Sequence, residues 1–344
     1  MNFPPLFKKY KNVLCFLCIF AKNECMTKDE KYMHRCLQLA ALGLGKVQPN
    51  PMVGAVIVCD DKIVGEGYHH QYGGPHAEVN AINSLMDKTI CKQSTIYVTL
   101  EPCAHHGKTP PCADKLVEMG FPRVVIGATD PHDKVNGKGI AKLHAAGIDV
   151  TTGVLQSECE WQNRRFFTFH TKKRPYIILK WAQTADGYMD IVRPSSQTQY
   201  WITNDELRVI VHKWRSEEQA ILIGYNTYLN DRPQLTTRLY PGKNPVKYLM
   251  MRHPESFEND EYRLLPDDLS EAMAQLYADG IQSVIVEGGR KTLELFLSND
   301  LWDEARVLTG KPVWGRGVPA PIIGTNAKKE LLVSTDKISW FYRP

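Results

Sequence analysis

Four side chains in the first half of the sequence have types and spacing that can do chemistry together. His76 and Glu78 stand two positions apart, and Cys103 and Cys112 follow downstream. One imidazole and two thiolates make three ligands for a tetrahedral zinc and leave a fourth position for water. Zinc lowers the pKa of that water toward neutrality, which yields a nucleophile at ordinary pH. Glu78 is near enough in sequence to stand beside the ion without binding it, and its carboxylate can carry a proton from the water to a departing amine. The chemistry implied is hydrolytic removal of an amino group from a nucleobase-like ring. Taken singly these residues are ordinary: His-x-Glu is common, and two cysteines in a loop are usually buried thiols. A structural zinc with four protein ligands is the competing reading, with Cys91 or His105 as the fourth.

These residues need elements to position them. Thr27-x-x-Glu30 is a capping box that opens a helix running to about 42, with Gly43 as its stop. A strand is expected over 53–59 and a short one at 63–64, then a glycine-rich loop over 65–75 and a helix from 76 to about 85. Its first turn carries His76 and Glu78. A β-rich run at 95–100 precedes the loop with Cys103, and a helix near 113–119 follows Cys112, where free backbone donors favour a thiolate. A strand at 124–128 and a helix near 140–146 complete the pattern, a sheet with helices on both faces. A polar stretch at 156–174 reads as a connection, which places the domain boundary near 153–174.

The second half restarts with a strand over 175–182. A helix at 205–213, strands at 220–223 and 247–251 and a helix at 269–278 follow. A buried strand at 283–286 then feeds Glu287-Gly288-Gly289 and a helix to about 297. Glycines let the backbone approach a phosphate, and the helix start supplies N–H donors and positive field. Neither half has Gly-x-Gly-x-x-Gly after its first strand, so a Rossmann dinucleotide domain is not supported.

A chain of 344 residues is expected to form two domains. Its net charge of +4, with no basic run, argues against nucleic-acid binding and is compatible with a small phosphorylated substrate. Nine cysteines, an odd number, argue against a disulfide framework and for a reducing, cytoplasmic setting. Lys8, Lys9 and Lys11 precede an apolar run at 13–21, about half the length that spans a bilayer. Residues 1–25 are therefore expected to be a disordered tail or a misassigned start, with no membrane association.

Longer motifs add a resemblance. Asn50-Pro51-x-Val53-Gly54, Gly65-Glu66-Gly67-Tyr68-His69, Gly73-x-Pro75-His76-Ala77-Glu78 and Leu100-Glu101-Pro102-Cys103-x-His105-x-Gly107-Lys108-Thr109-Pro110-Pro111-Cys112 resemble the deaminase domain of the bifunctional riboflavin-biosynthesis deaminase/reductases. Positions 104–111 separate the two cysteines, the long spacing of that family rather than the two-residue spacing of cytidine and tRNA-adenosine deaminases. In the second half, Lys180-x-Ala182-x-Thr184-x-Asp186-Gly187, Trp201-Ile202-Thr203, Gly224-x-x-Thr227 and Asp231-x-Pro233-x-Leu235-Thr236-x-Arg238 follow in the family's order.

The resemblance implies a cytidine-deaminase-like three-layer α/β/α domain followed by a dihydrofolate-reductase-like α/β domain. It implies zinc-dependent deamination of 2,5-diamino-6-(5-phosphoribosylamino)pyrimidin-4-one, then NADPH-dependent reduction of the ribosyl group to ribityl, by a homodimer or homotetramer. It places Asn50, His69, Lys108 and Asp130 on the substrate of the first site. Gln199, Arg215, Leu235, Arg238 and Glu287 go to the substrate of the second. Ala182, Trp201, Thr227, Asp231 and the run Gly289, Arg290, Lys291, Thr292, Leu293, Glu294 and Leu295 go to the cofactor. The chain departs from the pattern at His132, where the family has Asn in Asp-Pro-Asn-Pro, at Gln199, where a small hydroxyl residue is usual, and over 248–261. The departures at Gln199 and over 248–261 motivate an alternative, a deaminase whose second domain binds substrate without reducing it.

Overall fold

The computed structural model describes residues 26–104, 111–132, 135–191, 200–253 and 261–343. The chain forms two compact units that divide between Lys173 and Arg174.

The first unit begins with helix α1 (Lys28–Ala40), whose capping box is formed as expected, Thr27 and Glu30 each serving the other's backbone N–H. Its sheet comprises β1 (Gly54–Cys59), β2 (Lys62–Tyr68), β3 (Thr95–Leu100), β4 (Arg123–Ala128) and β5 (Asp149–Thr152), in the order β2-β1-β3-β4-β5. β1 pairs antiparallel with β2 and β3, whereas β3, β4 and β5 are parallel. Alternation along β1 divides the core. Ala55 and Ile57 face helices α2 (Ala77–Asn83), α3 (Cys112–Met119) and α4 (Lys138–Ala145), packing with Ala81, Leu116 and Leu143. Val56 and Val58 face α1 together with α5 (Gln156–Gln162) and α6 (Arg164–Lys172), packing with Met33, Cys159 and Phe166. This is the helix-sheet-helix sandwich expected from alternating elements.

Two expectations are corrected here. Residues 65–68 belong to strand β2 and not to the loop. Their glycines are there because α2 lies against the strand: a Cβ on Gly67 would sit 2.3 Å from the Ala81 nitrogen. The polar stretch at 156–174 is mostly helical and completes the first core, with Cys159 and Phe166 buried.

The second unit has β6 (Tyr176–Gln183), β7 (Tyr188–Asp190), α7 (Asp205–Glu217), β8 (Ala220–Gly224), α8 (Tyr225–Asp231), β9 (Val246–Met250), β10 (Arg263–Leu265), α9 (Leu269–Ala278), β11 (Ser283–Val286), α10 (Arg290–Ser298), β12 (Glu304–Thr309), β13 (Val318–Pro319), β14 (Lys329–Val333) and β15 (Asp336–Tyr342). Its large sheet runs β10-β9-β8-β11-β6-β12-β15-β14, parallel through β12 and antiparallel at the β15 and β14 end, while β7 and β13 form a separate ribbon. The central strand β11 reads Ser-Val-Ile-Val, buried throughout, as a strand covered on both faces should be. Val284 and Val286 enter one core with Leu293 and Phe296, and Ile285 enters the other with Leu207 and Trp214. Among the described residues, no helix is long and apolar enough to cross a membrane.

Candidate active sites

In the first unit the site forms where parallel strands end and helices begin. His76 is the N-cap residue of α2, which places Glu78 in that helix's first turn. Cys103 lies three residues beyond β3, and Cys112 is the first residue of α3. His76 Nδ1 is 3.6 Å from Cys103 Sγ and 3.3 Å from Cys112 Sγ, and the three ligand atoms all lie within 4.8 Å of one another. Tetrahedral zinc with ordinary bond lengths spaces nitrogen and sulfur by about 3.5 Å, so the donor set fits that ion in both chemistry and span. Cys91, offered above as a fourth ligand, is instead buried in the hydrophobic core beside Ile96 and Phe121. His105 lies outside the described residues.

The protein groups alone already polarise this cluster. Cys103 is held down to about 4, first by a hydrogen bond from Cys112 and then, against the cost of burial, by His76 and the Cys112 backbone N–H. That N–H, at the start of α3, donates to Cys103 Sγ at 3.3 Å. Cys112 is pushed the other way, because donating to the Cys103 sulfur and burial both favour its thiol form. His76 is raised to about 9, chiefly by its hydrogen bond to Cys103. The resulting charge separation, a thiolate against an imidazolium, is one that a divalent cation would take over.

Glu78 is 3% exposed. Burial raises its pKa, the charge on Cys103 adds to this, and His76 opposes it. A carboxyl lifted toward neutrality beside a metal site is suited to giving and taking protons. His69 is also buried, its ring 5.5 Å from that of His76. Its Nδ1 must donate to the Pro75 carbonyl at 3.0 Å, so its Nε2 accepts from Asn50 Nδ2 at 3.1 Å. Burial lowers the His69 pKa, consistent with that neutral tautomer. Asn163 on the loop before α6 exchanges two 2.8 Å bonds with the Met52 backbone, which fixes the segment carrying Asn50. Nothing local in the sequence signals this tie. Asp130 is buried and its pKa is lifted to about 6, first by desolvation and then by the charges of Glu101 and Cys103. Lys108 lies outside the described residues.

In the second unit the predicted residues line a cavity of about 1150 Å³, formed over the ends of β6, β8, β9 and β11. Ala182, Trp201, Thr227, Asp231, Gly289, Arg290, Lys291, Thr292 and Leu295 border it, as do Arg215, Leu235, Arg238 and Glu287. Two members of the predicted cofactor run do not. Leu293 is buried in the core with Phe296, while Glu294 turns to an ion pair with Arg290 on its own helix. A motif is contiguous, but a helix shows a cavity only the residues on one face. Gln199 lies outside the described residues.

Arg215 and Glu287 form a bidentate pair, Nε to Oε1 at 2.8 Å and Nη2 to Oε2 at 2.7 Å, and Arg215 Nη1 also donates to the Thr236 carbonyl. Three of the five guanidinium N–H groups are thereby engaged, which leaves two that can meet a ligand. Lys180, present in the quoted motif but given no role, also lines the cavity and lies 3.4 Å from Glu287 Oε2. Despite its burial Glu287 is held down to about 2 by Arg215 and Lys180. His212 borders the same space with its pKa lowered to about 4 by burial and by Arg215 and Arg238. The guanidinium of Arg208 lies 4.0 Å above the Trp201 ring, which braces that side chain at the cavity mouth.

Both regions that carry these sites match known families. Residues 26–128 match the model of the cytidine and deoxycytidylate deaminase zinc-binding region, and residues 175–334 match the RibD C-terminal domain. The riboflavin biosynthesis protein RibD of Aquifex aeolicus is 38% identical over 335 residues, 88% of this chain and 93% of that one. Its Escherichia coli counterpart is 37% identical over 84% of this chain and 89% of its own. A Thermotoga maritima diaminohydroxyphosphoribosylaminopyrimidine deaminase/5-amino-6-(5-phosphoribosylamino)uracil reductase has a similar structure, with a TM-score of 0.81 at 35% identity over 92% of this chain and 98% of that one. Acinetobacter baumannii RibD gives a TM-score of 0.81 at 29% identity, also over 92% and 98%. The chain belongs to the riboflavin biosynthesis protein RibD family.

Proposed function

We infer that this chain catalyses two consecutive steps of riboflavin biosynthesis, a hydrolytic deamination in the first unit and a reduction in the second. The observation that carries the reading is the convergence of His76, Cys103 and Cys112 within 4.8 Å beside a buried Glu78, in one chain with a charge-lined cavity. The substrate we assign to the first site is 2,5-diamino-6-(5-phosphoribosylamino)pyrimidin-4-one. Zinc, when bound by His76, Cys103 and Cys112, supplies a Lewis acid that acidifies water. Glu78 takes the two protons of the attacking water in turn, passing one to the ring nitrogen and the other to the amino group that leaves as ammonia. Asn50, its amide oriented by His69, meets the edge of the pyrimidine, and Asp130 and Lys108 complete the contacts.

In the second site NADPH, when bound, supplies the hydride. The start of α10 at Gly289, Arg290, Lys291 and Thr292 offers N–H donors and cations to its phosphates. Arg215, Lys180 and Glu287 bind and orient the substrate, with Arg238 and Leu235 on the same wall. Leu293 supports this helix from the core. We further propose a cytoplasmic homo-oligomer, a dimer or tetramer, to be checked by light scattering. The unpaired Cys36, Cys59, Cys91 and Cys159 support a reducing compartment.

One assay tests the reading. Purified protein with the pyrimidine is expected to release ammonia, and to consume NADPH only once the deaminated product has formed. A chelator should stop the first and spare the reduction of added product. A fully metallated preparation that releases no ammonia would overturn the deaminase assignment. Absence of NADPH oxidation with authentic product would leave a second unit that binds without reducing.

A further inference from the structure

Glu101 has no part in the chemistry above, yet it is 4% exposed and lies two residues from a zinc ligand. Strand β3 ends at Leu100, and the Glu101 N–H still pairs with the Ala128 carbonyl at the end of β4, at 2.9 Å. From there its carboxylate reaches over the end of β4 to the segment that follows. Oε2 accepts from the N–H groups of Asp130 at 3.3 Å and Gly137 at 2.9 Å. Oε1 accepts from Gly139 at 2.9 Å and Ile140 at 3.3 Å.

A buried carboxylate is costly unless its lone pairs are used. Here four donors use them, three at the start of α4, where the helix dipole also favours negative charge. α4 has no side chain of its own to cap it, because its N-cap residue is Gly137. Glu101 is therefore the cap, supplied from another strand.

Two contacts show what this docking fixes. A Cβ on Gly139 would fall 2.0 Å from the Pro102 carbonyl oxygen, so the first turn of α4 rests directly on the peptide that precedes Cys103. Asp130, whose N–H is one of the four donors, is held in turn by the His132 N–H, which donates to its Oδ1 at 2.8 Å. The His132 ring packs edge-on against His170 of α6 at 4.6 Å. Among the described residues, the N–H groups that donate to the Glu101 carboxylate thus all belong to the segment carrying Asp130, whose carboxyl feels the charge of Cys103.

We propose that Glu101 is a positioning residue for deamination: it sets where Asp130 stands relative to the Cys103 ligand, and so how the substrate is seated. This rests on the deaminase reading and on Asp130 as a substrate contact.

The test is a double-mutant cycle in the full-length zinc enzyme, scored by ammonia release, with zinc content and reduction of added product as controls. In Glu101→Gln the amide presents an N–H group toward backbone N–H donors. Its kcat/KM for deamination is expected to fall about 10- to 100-fold, mostly through KM, with zinc near one per chain and reduction unchanged. Asp130→Ala should lose a similar factor, and the double variant should lose no more than Asp130→Ala alone. Multiplying losses in the double variant, loss of zinc in Glu101→Gln, or wild-type kinetics in it would each overturn the proposal.

Should Glu101→Gln not fold, wild-type protein still decides the matter by amide hydrogen exchange. A peptide spanning 135–145 should be as protected as one from α1, and rapid exchange there refutes the docking. Wild-type protein that releases no ammonia would count against the deaminase reading instead.

Discussion

Arg215→Met is the most informative single change in the second unit, because the structure allows its cost to be worked through. Glu287 is a carboxylate with its side chain only 7% exposed, held by two cations, bidentately by Arg215 and at 3.4 Å by Lys180. At the effective dielectric suited to such pairs, charges near 4 Å attract by about 4 kcal/mol. Removing one partner of a buried pair costs about 3–5 kcal/mol, because the other charge is left uncompensated. Lys180 remains and methionine refills part of the space, so the expected loss is about 2–3 kcal/mol. For a unit of this size that lowers the melting temperature by roughly 5–10 °C.

The sign with pH follows from Glu287, whose folded pKa of about 2 lies below the ordinary 4.5. A depressed carboxylate stabilises the fold above its ordinary pKa, and that contribution is lost as pH falls toward the folded value. Without Arg215 the folded value rises, so the variant should lose stability at a higher pH than wild type does. Calorimetry of the full chain, with the second unit's transition identified by its shift on adding NADP+, measures this. The reductase KM should rise while deamination is unchanged. Adding Glu287→Gln removes the orphaned charge and should recover much of the loss. A variant that melts within about 1 °C of wild type, or a Glu287→Gln cost that simply adds, would refute the account.

Glu78→Gln should keep its fold and its zinc but lose ammonia release by about 10²- to 10⁴-fold, with reduction of added product intact. A parallel loss of both activities would end the two-site model. Cys103→Ser should carry far less than one zinc per chain by elemental analysis and release no ammonia, because a serine hydroxyl does not replace the thiolate held down to about 4. Gly67→Ala should weaken zinc retention against a chelator, since its Cβ would meet the Ala81 nitrogen and Ala77 oxygen at 2.3 and 2.5 Å and push back the helix that positions His76 and Glu78. Unchanged chelation kinetics would show that the helix yields without moving the site.

What the sequence made legible follows from the range of the interactions concerned. The zinc ligands could be read because side-chain type and order around helix starts carry the chemistry, and His76 and Cys112 do stand at the starts of α2 and α3. Gly65 and Gly67 misled, because glycine ordinarily marks loops, whereas here it admits a helix against a strand. The segment at 156–174 looked like a linker because seven of its residues are charged, yet one of them, Arg165, is buried together with Cys159 and Phe166. Leu293 and Glu294 were included because a motif is contiguous and a helical face is not. The Arg215–Glu287 pair spans 72 positions, and the ligands of Glu101 are backbone N–H groups, which have no signature in the sequence.

The two units meet one physical problem in the same place. Glu101 is the first residue past β3 and Glu287 the first past β11, each beyond a strand with a parallel neighbour, and both side chains are largely withdrawn from solvent. The carboxyl ends of parallel strands face the starts of the helices that follow, where N–H groups lack intrahelical partners and the field is positive. A carboxylate can be buried there at little cost, and what surrounds it decides its use. Among the described residues, the Glu101 carboxylate meets backbone donors alone, which suits it to fixing a segment in place. Glu287 meets Arg215 and Lys180, which keep donors facing a cavity. The same residue type at the same station therefore organises structure in one unit and a binding wall in the other, and exchanging the cations around Glu287 for neutral donors should turn it from the second role to the first.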